Sequence, residues 1–237
     1  MESLAVVIPT YNEKETLEQL VRKIFALKIP NLKIVVVDDN SPDNTAAIAE
    51  DLSKKFPVTV IRRNQKLGAG SACVHAFKKL LGETDETQPE YIIQMDADFS
   101  HDPEFIPAFL ERINSCDAVI GSRYIKGGKV GNEPVFRKIL SRLANLYIKA
   151  ILQLPYRDAT GGFKCYRRNI LKKLNLDSLN PIGYIFQIET NYQLHKLGAR
   201  VSEIPIFFSP RKNGESKLKA GIILKSFFRI LALKFRE

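Results

Sequence analysis

The run Tyr91-Ile92-Ile93-Gln94-Met95-Asp96-Ala97-Asp98 decides how this 237-residue chain is read. A short, mostly apolar stretch ends in two carboxylates at i and i+2, the pattern of a buried strand that leaves a sheet and turns. The same pattern recurs on both sides of it. Residues 4–9 (LAVVIP) read as a first strand, with a helix from about 13 to 27 behind it. Residues 33–37 (KIVVV) read as a second, continuously apolar as a strand covered on both faces should be. It ends in Asp38-Asp39-Asn40-Ser41-Pro42-Asp43, where Asp43 can cap a helix running to about residue 55. A third strand spans 58–61, followed by the Leu67-Gly68-Ala69-Gly70 turn and a helix to about residue 81. Pro103 suits the first position of a helix to about 114. Residues 117–120 form a fifth strand running into Gly121-Ser122-Arg123-Tyr124.

Strands alternating with helices give parallel βαβ units, so the fold class is α/β. Ligands of such sheets bind beyond the carboxyl ends of the strands, which is where the acidic pairs Asp38/Asp39 and Asp96/Asp98 fall. The second half is less regular. A Gly- and Lys-rich segment over 125–134 reads as irregular and mobile. A helix over 135–153, a turn at Thr160-Gly161-Gly162-Phe163, a helix over 184–197 and a strand over 200–208 follow. A polar loop at 211–216 leads to an apolar-and-basic helix from about Lys217. The expected organisation is a catalytic domain over 1–215, with a nucleotide and metal half (1–121) and an acceptor half (122–215). A C-terminal amphipathic helix over 216–237 completes it.

Charge sharpens that division. The chain has 36 Lys+Arg against 26 Asp+Glu, a formal net charge of +10. Residues 1–121 hold 13 basic and 19 acidic side chains, net −6; residues 122–237 hold 23 and 7, net +16. A hydrophobic content of 45% excludes a disordered chain. The uneven charge argues against a uniformly coated nucleic-acid binder. Cys73, Cys116 and Cys165 are far apart and form no metal or redox motif, as in a reducing compartment. The N-terminus lacks the basic and long apolar regions of a signal peptide. No window reaches the ~20 apolar residues of a membrane span; the best, 222–235, is broken by Lys225, Arg229 and Lys234.

Asp96 and Asp98 supply hard oxygen donors suited to Mg²⁺ or Mn²⁺ with positions left open for a diphosphate. Such an ion offsets charge building up on a nucleoside-diphosphate leaving group. Tyr11 can stack on a nucleobase, Glu13 can hydrogen-bond it, and Asp39 can bind base or ribose. Each of these is also an ordinary turn or cap residue when taken singly.

VVIPTYNE, VVVDDNSPDNT, MDADFSHDPE and GSRY, in that order, resemble the family 2 glycosyltransferases with a GT-A fold. FRKILS, TGGFKCYRR, NPIGYIFQIE and NGESKLK narrow the resemblance to the dolichyl- and polyprenyl-phosphate mannosyltransferases. It implies a Rossmann-like mixed sheet flanked by helices and an inverting transfer of mannose from GDP-mannose to a lipid phosphate. It further implies that Pro9, Tyr11, Glu13, Asp39, Asp96, Ala97 and Asp98 hold the donor, with Asp96, Asp98 and Ser100 around the metal. Some relatives carry Gln where this chain has Ser100, a shorter and weaker donor. Arg123, Arg137, Ser141, Arg211 and Lys217 match positions around donor and acceptor phosphates, with Asp98, Arg123 and Arg137 as the catalytic set. A phosphate acceptor is already ionised near neutral pH, so no general base is assigned. Instead cations must bring two anions together. His75, His101 and His195 read as structural, with His101 beside the D-x-D motif placed to support it.

The expected partners are a nucleotide sugar, dolichyl or polyprenyl phosphate, a membrane surface and a small membrane-anchoring subunit, with no nucleic acid. The expected location is cytoplasmic, peripheral on the cytosolic face of a membrane. Two alternatives stand beside this reading. One is a hexosyltransferase using a UDP-sugar; the other is a non-enzymatic basic module binding nucleic acid or membrane.

Overall fold

Seven strands form one sheet whose order is β3-β2-β1-β4-β7-β5-β8. The computed structural model describes residues 3–83, 88–209 and 229–235. β1 (Leu4–Thr10), β2 (Leu32–Asp38), β3 (Val58–Arg62) and β4 (Tyr91–Gln94) run parallel, in the register Val6↔Ile34 and Val6↔Ile93. β1 and β4 are buried along their whole length, as their mostly apolar character requires, with Thr10 and Gln94 as polar ends.

The connecting helices begin where local chemistry allows. α1 (Leu17–Ala26) starts later than the periodicity predicts because residues 13–16 are taken up in turns; Leu17, Leu20, Val21 and Ile24 make its buried stripe. α2 (Thr45–Ser53) is started by Asp43, whose Oδ1 accepts from Thr45 N at 3.0 Å and Thr45 Oγ1 at 2.6 Å. α3 (Ala69–Gly82) follows β3. Pro103 opens a 3₁₀ turn over Pro103–Phe105, capped by Asp102, before α4 (Ile106–Ile113).

The second half departs from simple alternation. β5 (Ala118–Ser122) does not pair with β4. A strand not apparent from the sequence, β7 (Lys164–Arg167), lies antiparallel between them. Before it come β6 (Lys129–Val130) and α5 (Val135–Leu152); after it come α6 (Arg168–Leu171) and α7 (Gly183–Lys196). β8 (Val201–Pro205) completes the sheet parallel to β5, and β9 (Phe207–Phe208) pairs with β6 in a separate ribbon. The segment over 125–134 therefore contains a paired strand, and the predicted strand over 200–208 is two strands.

α5 is tied to the domain by few groups. Asn145, Ile148 and Leu152 are its buried residues. Asn145 clamps the following turn: its Nδ2 donates to Ser141 O and Thr160 Oγ1, and its Oδ1 accepts from Ala159 N at 2.8 Å. The opposite face carries Val135, Phe136, Ile139, Leu140, Leu143 and Leu146, all exposed. Residues 229–234 are helical, with Ile230 and Leu233 buried against Ile148, Leu152 and Ile188, and Arg229 Nε bonded to Glu189 Oε1 at 3.0 Å. At this end of the predicted C-terminal helix, then, two apolar side chains turn inward to the domain; the rest of that helix lies outside the described residues. No helix among the described residues is long and apolar enough to cross a membrane.

Candidate active site

Because β1–β4 are parallel and β7 is antiparallel, one edge of the sheet gathers two kinds of strand end. The carboxyl ends of β3, β2, β1 and β4 meet there with the amino end of β7. Pro9, Tyr11 and Glu13 leave β1 at this edge, Asp39 leaves β2, Asp96–Asp98 leave β4, and Arg123 leaves β5. The topology brings together residues separated by nearly half the chain.

Each side chain is held in a particular way. The Asp39 carboxylate is buried and accepts from Leu67 N at 3.0 Å and Gly68 N at 2.6 Å, with Arg63 Nε 3.2 Å away. It thereby fixes the β3–α3 turn. Asp38, also buried, accepts from Thr10 Oγ1, Ser41 Oγ and Ser41 N. Lys66 Nζ sits 3.5 Å from the centre of the Tyr11 ring, a cation on the face expected to take a base. Glu13 Oε2 accepts from Thr16 Oγ1, and Glu13 N donates to Thr45 Oγ1.

The D-x-D turn is built around His101. Asp96 N donates to His101 Nδ1 at 2.9 Å, and the imidazole stacks on Phe163 with centroids 5.0 Å apart. Burial pushes the His101 pKa down, against the pull of Asp96 and Asp98, so the ring stays neutral with Nδ1 as acceptor. Gly162 packs closely against this ring: a Cβ would stand 3.2 Å from His101 Cε1, a tight contact. Ser100 is buried and its N–H donates to Asp98 Oδ1 at 3.0 Å. Phe99, between them, has φ +60°, a costly conformation for a bulky side chain and one that concentrates at functional turns. The Asp96 side chain is 37% exposed, so one carboxylate faces solvent while its partner is held from behind. Two hard-oxygen donors on a stiffened turn fit a divalent ion whose remaining positions come from a diphosphate and water. No group of three or more His, Cys, Asp or Glu arranged to hold a metal ion occurs among the described residues.

Arg123, expected among the cations around the phosphates, is paired with a carboxylate behind it. Its Nε and Nη2 grip Asp158 Oδ2 and Oδ1 at 2.7 and 2.8 Å, and Nη2 also donates to Thr160 Oγ1. Burial alone would raise the Asp158 pKa. The Arg123 guanidinium and backbone N–H more than offset it and hold the carboxyl below its ordinary range. Arg123 is pushed upward by the same pairing despite its own burial. Asp158 itself escaped sequence reasoning, because nothing in the spacing of Tyr156-Arg157-Asp158 marks it. Neighbouring Lys164 is fully buried, donates to Gln187 O at 3.1 Å, and is pushed down to about 7 by that burial. Ser141 lies on α5 with its Oγ 2.7 Å from Tyr124 OH, and Arg137 is exposed in the first turn of the same helix. Arg211 and Lys217 lie outside the described residues.

A sheet of this order, with a carboxylate pair at the end of β4, defines a GT-A nucleotide-sugar transferase fold. The family model for glycosyl transferase family 2 matches residues 5–175, and the chain belongs to that family. A dolichol-phosphate mannosyltransferase of Pyrococcus furiosus is 41% identical over 235 residues, covering 96% of this chain and 63% of its own length. The chain thus spans less than two thirds of that relative. An undecaprenyl-phosphate mannosyltransferase of Micrococcus luteus is 38% identical over 92% of this chain and 88% of its own. In fold, glucosyl-3-phosphoglycerate synthase from Mycobacterium tuberculosis, solved with Mn²⁺, UDP and phosphoglyceric acid, superposes with a TM-score of 0.70. It is 18% identical and covers 99% of this chain and 77% of that one.

Proposed function

We propose that the chain transfers mannose from GDP-mannose to a polyprenyl phosphate, with inversion at C1 and a divalent ion on Asp96 and Asp98. The observation that carries the reading is the convergence of the nucleoside-side residues, the D-x-D turn and the Arg123–Asp158 pair on one sheet edge. The names of the relatives supply the substrate class. A Mg²⁺ or Mn²⁺ ion, when bound, supplies Lewis-acid stabilisation of the departing diphosphate. The chain's own residues do the rest. Tyr11 and Glu13 position the base, and Asp39 keeps the β3–α3 turn against the nucleoside. Ser100 N and His101 hold the D-x-D carboxylates in place, and Arg123 and Arg137 draw the acceptor phosphate towards the donor. The acceptor oxygen is anionic, so no side chain need remove a proton from it.

α5 supports the membrane half of the reading. Its outward face is a continuous apolar stripe, edged by Lys138, Arg142 and Lys149 at helical spacing. A helix of this kind lies in a bilayer interface with basic stems along its border. The reading includes a catalytic domain over 1–215, a C-terminal helix over 216–237 and a peripheral seat on the cytosolic face of a membrane.

Incubation with Mn²⁺ and polyprenyl phosphate, using GDP-mannose, UDP-glucose or UDP-N-acetylglucosamine in parallel, is expected to give glycolipid from GDP-mannose. Product from UDP-sugars alone would move the reading to the hexosyltransferase alternative, and absence of glycolipid from every donor would end the lipid-acceptor reading.

The role of His101 has its own test. His101→Phe keeps a ring on Phe163 but removes the acceptor for Asp96 N, whereas His101→Asn keeps an acceptor near Nδ1. Calorimetric titration with GDP and Mn²⁺ is expected to show about tenfold weaker binding in His101→Phe. Much of that loss should return in His101→Asn. Equal loss in both variants would reduce His101 to packing.

A further inference from the structure

On the reading that the β3–α3 turn faces the nucleoside, we infer that Glu189 is a positioning residue for the donor. It ties the helical segment over 229–234 to the loop behind that turn, so nucleotide affinity depends on how this segment is seated.

Glu189 lies within α7, and its side chain is only 4% exposed. Its two oxygens serve two different elements. Oε1 accepts from Arg229 Nε at 3.0 Å, and Oε2 accepts from Asn180 N at 2.5 Å. Arg229 is anchored by the residues that follow it, since Ile230 and Leu233 are buried in one cluster with Ile148, Leu152 and Ile188. Asn180 Oδ1 in turn accepts from Ile182 N at 3.0 Å, which shapes the loop around Pro181. Taking a carboxylate out of water is costly, and an apolar side chain would fill the position without that cost. An apolar side chain could not hold a helix and a loop at once.

The loop meets the donor side through backbone. Pro181 O lies so close to Gly70 that a Cβ there would stand 2.5 Å from it. The same Cβ would stand 2.8 Å from Cγ of Phe186, which precedes Glu189 on α7 by about one turn. A close-packed contact of this kind transmits displacement, because it has no slack to absorb it. Gly70 belongs to the first turn of α3, and just before that helix Leu67 and Gly68 donate their N–H groups to Asp39 Oδ2. Arg229, Glu189, the loop at Pro181, the turn before α3 and Asp39 are thus joined by one run of contacts, from the C-terminal segment to the end of β2.

Two conservative variants of the full chain test the tie. Arg229→Met keeps the apolar stem and loses the charge; Glu189→Gln keeps an acceptor for Asn180 N and loses the one for Arg229. Amide exchange at Leu67 and Gly68 is expected to run ~10-fold faster in each. GDP with Mn²⁺ should bind ~10-fold more weakly. The donor KM should rise by the same factor while kcat and the KM for polyprenyl phosphate hold. Because both substitutions cut one tie, the double variant should be no worse than the weaker single variant. Gln193→Ala is the control: it releases Asn175 and Ser178 at the far end of the segment over 175–182, and should leave exchange at Leu67 and Gly68 unchanged. Wild-type exchange or wild-type GDP affinity in Arg229→Met would overturn the inference. So would additive losses in the double variant, or an equal loss in Gln193→Ala, which would mean general loosening. If the wild type binds no GDP, the donor reading fails, and amide exchange alone still decides whether the tie exists.

Discussion

Asp98→Asn is expected to lower sugar transfer by at least ~10³-fold, the scale of several kcal/mol of lost electrostatic stabilisation. The melting temperature should hardly change. Asparagine keeps an oxygen to accept from Ser100 N, so the turn at Asp98 retains its hydrogen bond while the charge is lost. Binding of GDP should become insensitive to Mn²⁺ in this variant, which separates a metal role from a general loss of shape. Transfer assays with a thermal melt and a GDP titration with and without Mn²⁺ check all three. Near-normal turnover would remove Asp98 from the metal and donor site.

The second large effect concerns stability. Asp158→Ala is expected to destabilise the fold by about 3–5 kcal/mol, because it strands the buried guanidinium of Arg123 without its two-pronged partner. For a chain of this size that corresponds to roughly 10 °C in melting temperature. The double variant Arg123→Met/Asp158→Leu removes both charges and should recover most of the loss, since a well-packed apolar pair often replaces a buried ion pair without penalty. It should nevertheless stay inactive, because the cation that draws the acceptor phosphate is gone. A melting temperature of Asp158→Ala within a degree or two of wild type would show that the pair carries little of the fold. A double variant that transfers sugar normally would show that Arg123 is dispensable to the chemistry.

The contrast between these residues explains what the sequence made legible. β1, β2 and β4 were readable because a strand covered on both faces must be apolar throughout, and the carboxylates that end β4 stand out against that run. Asp98 could be found for that reason. β7 could not: its four residues, Lys164-Cys165-Tyr166-Arg167, begin and end with a basic side chain, and the burial of Lys164 is decided by its neighbours. Asp158 was hidden for a related reason. Its partner Arg123 is 35 positions away, and only the return of the chain through α5 and the Thr160 turn brings the two within hydrogen-bonding distance. α5 was predicted with nearly correct ends, yet its apolar stripe faces away from the domain, a direction that periodicity alone does not specify.

The place of β7 also has a consequence for how the protein is made. β4 leaves the ribosome with one side paired to β1 and the other side bare, and its missing neighbour is synthesised only after α5 is complete. Throughout that interval the nascent chain presents an unpaired, mostly apolar strand edge, a feature prone to capture a foreign strand. The outward apolar stripe of α5 emerges during the same interval. Synthesis close to a bilayer or to a holding chaperone would cover both surfaces until β7 inserts. Yield in a cell-free system should therefore respond to vesicles added during translation far more than to vesicles added after it, a dependence on timing that follows from strand order together with the outward stripe of α5.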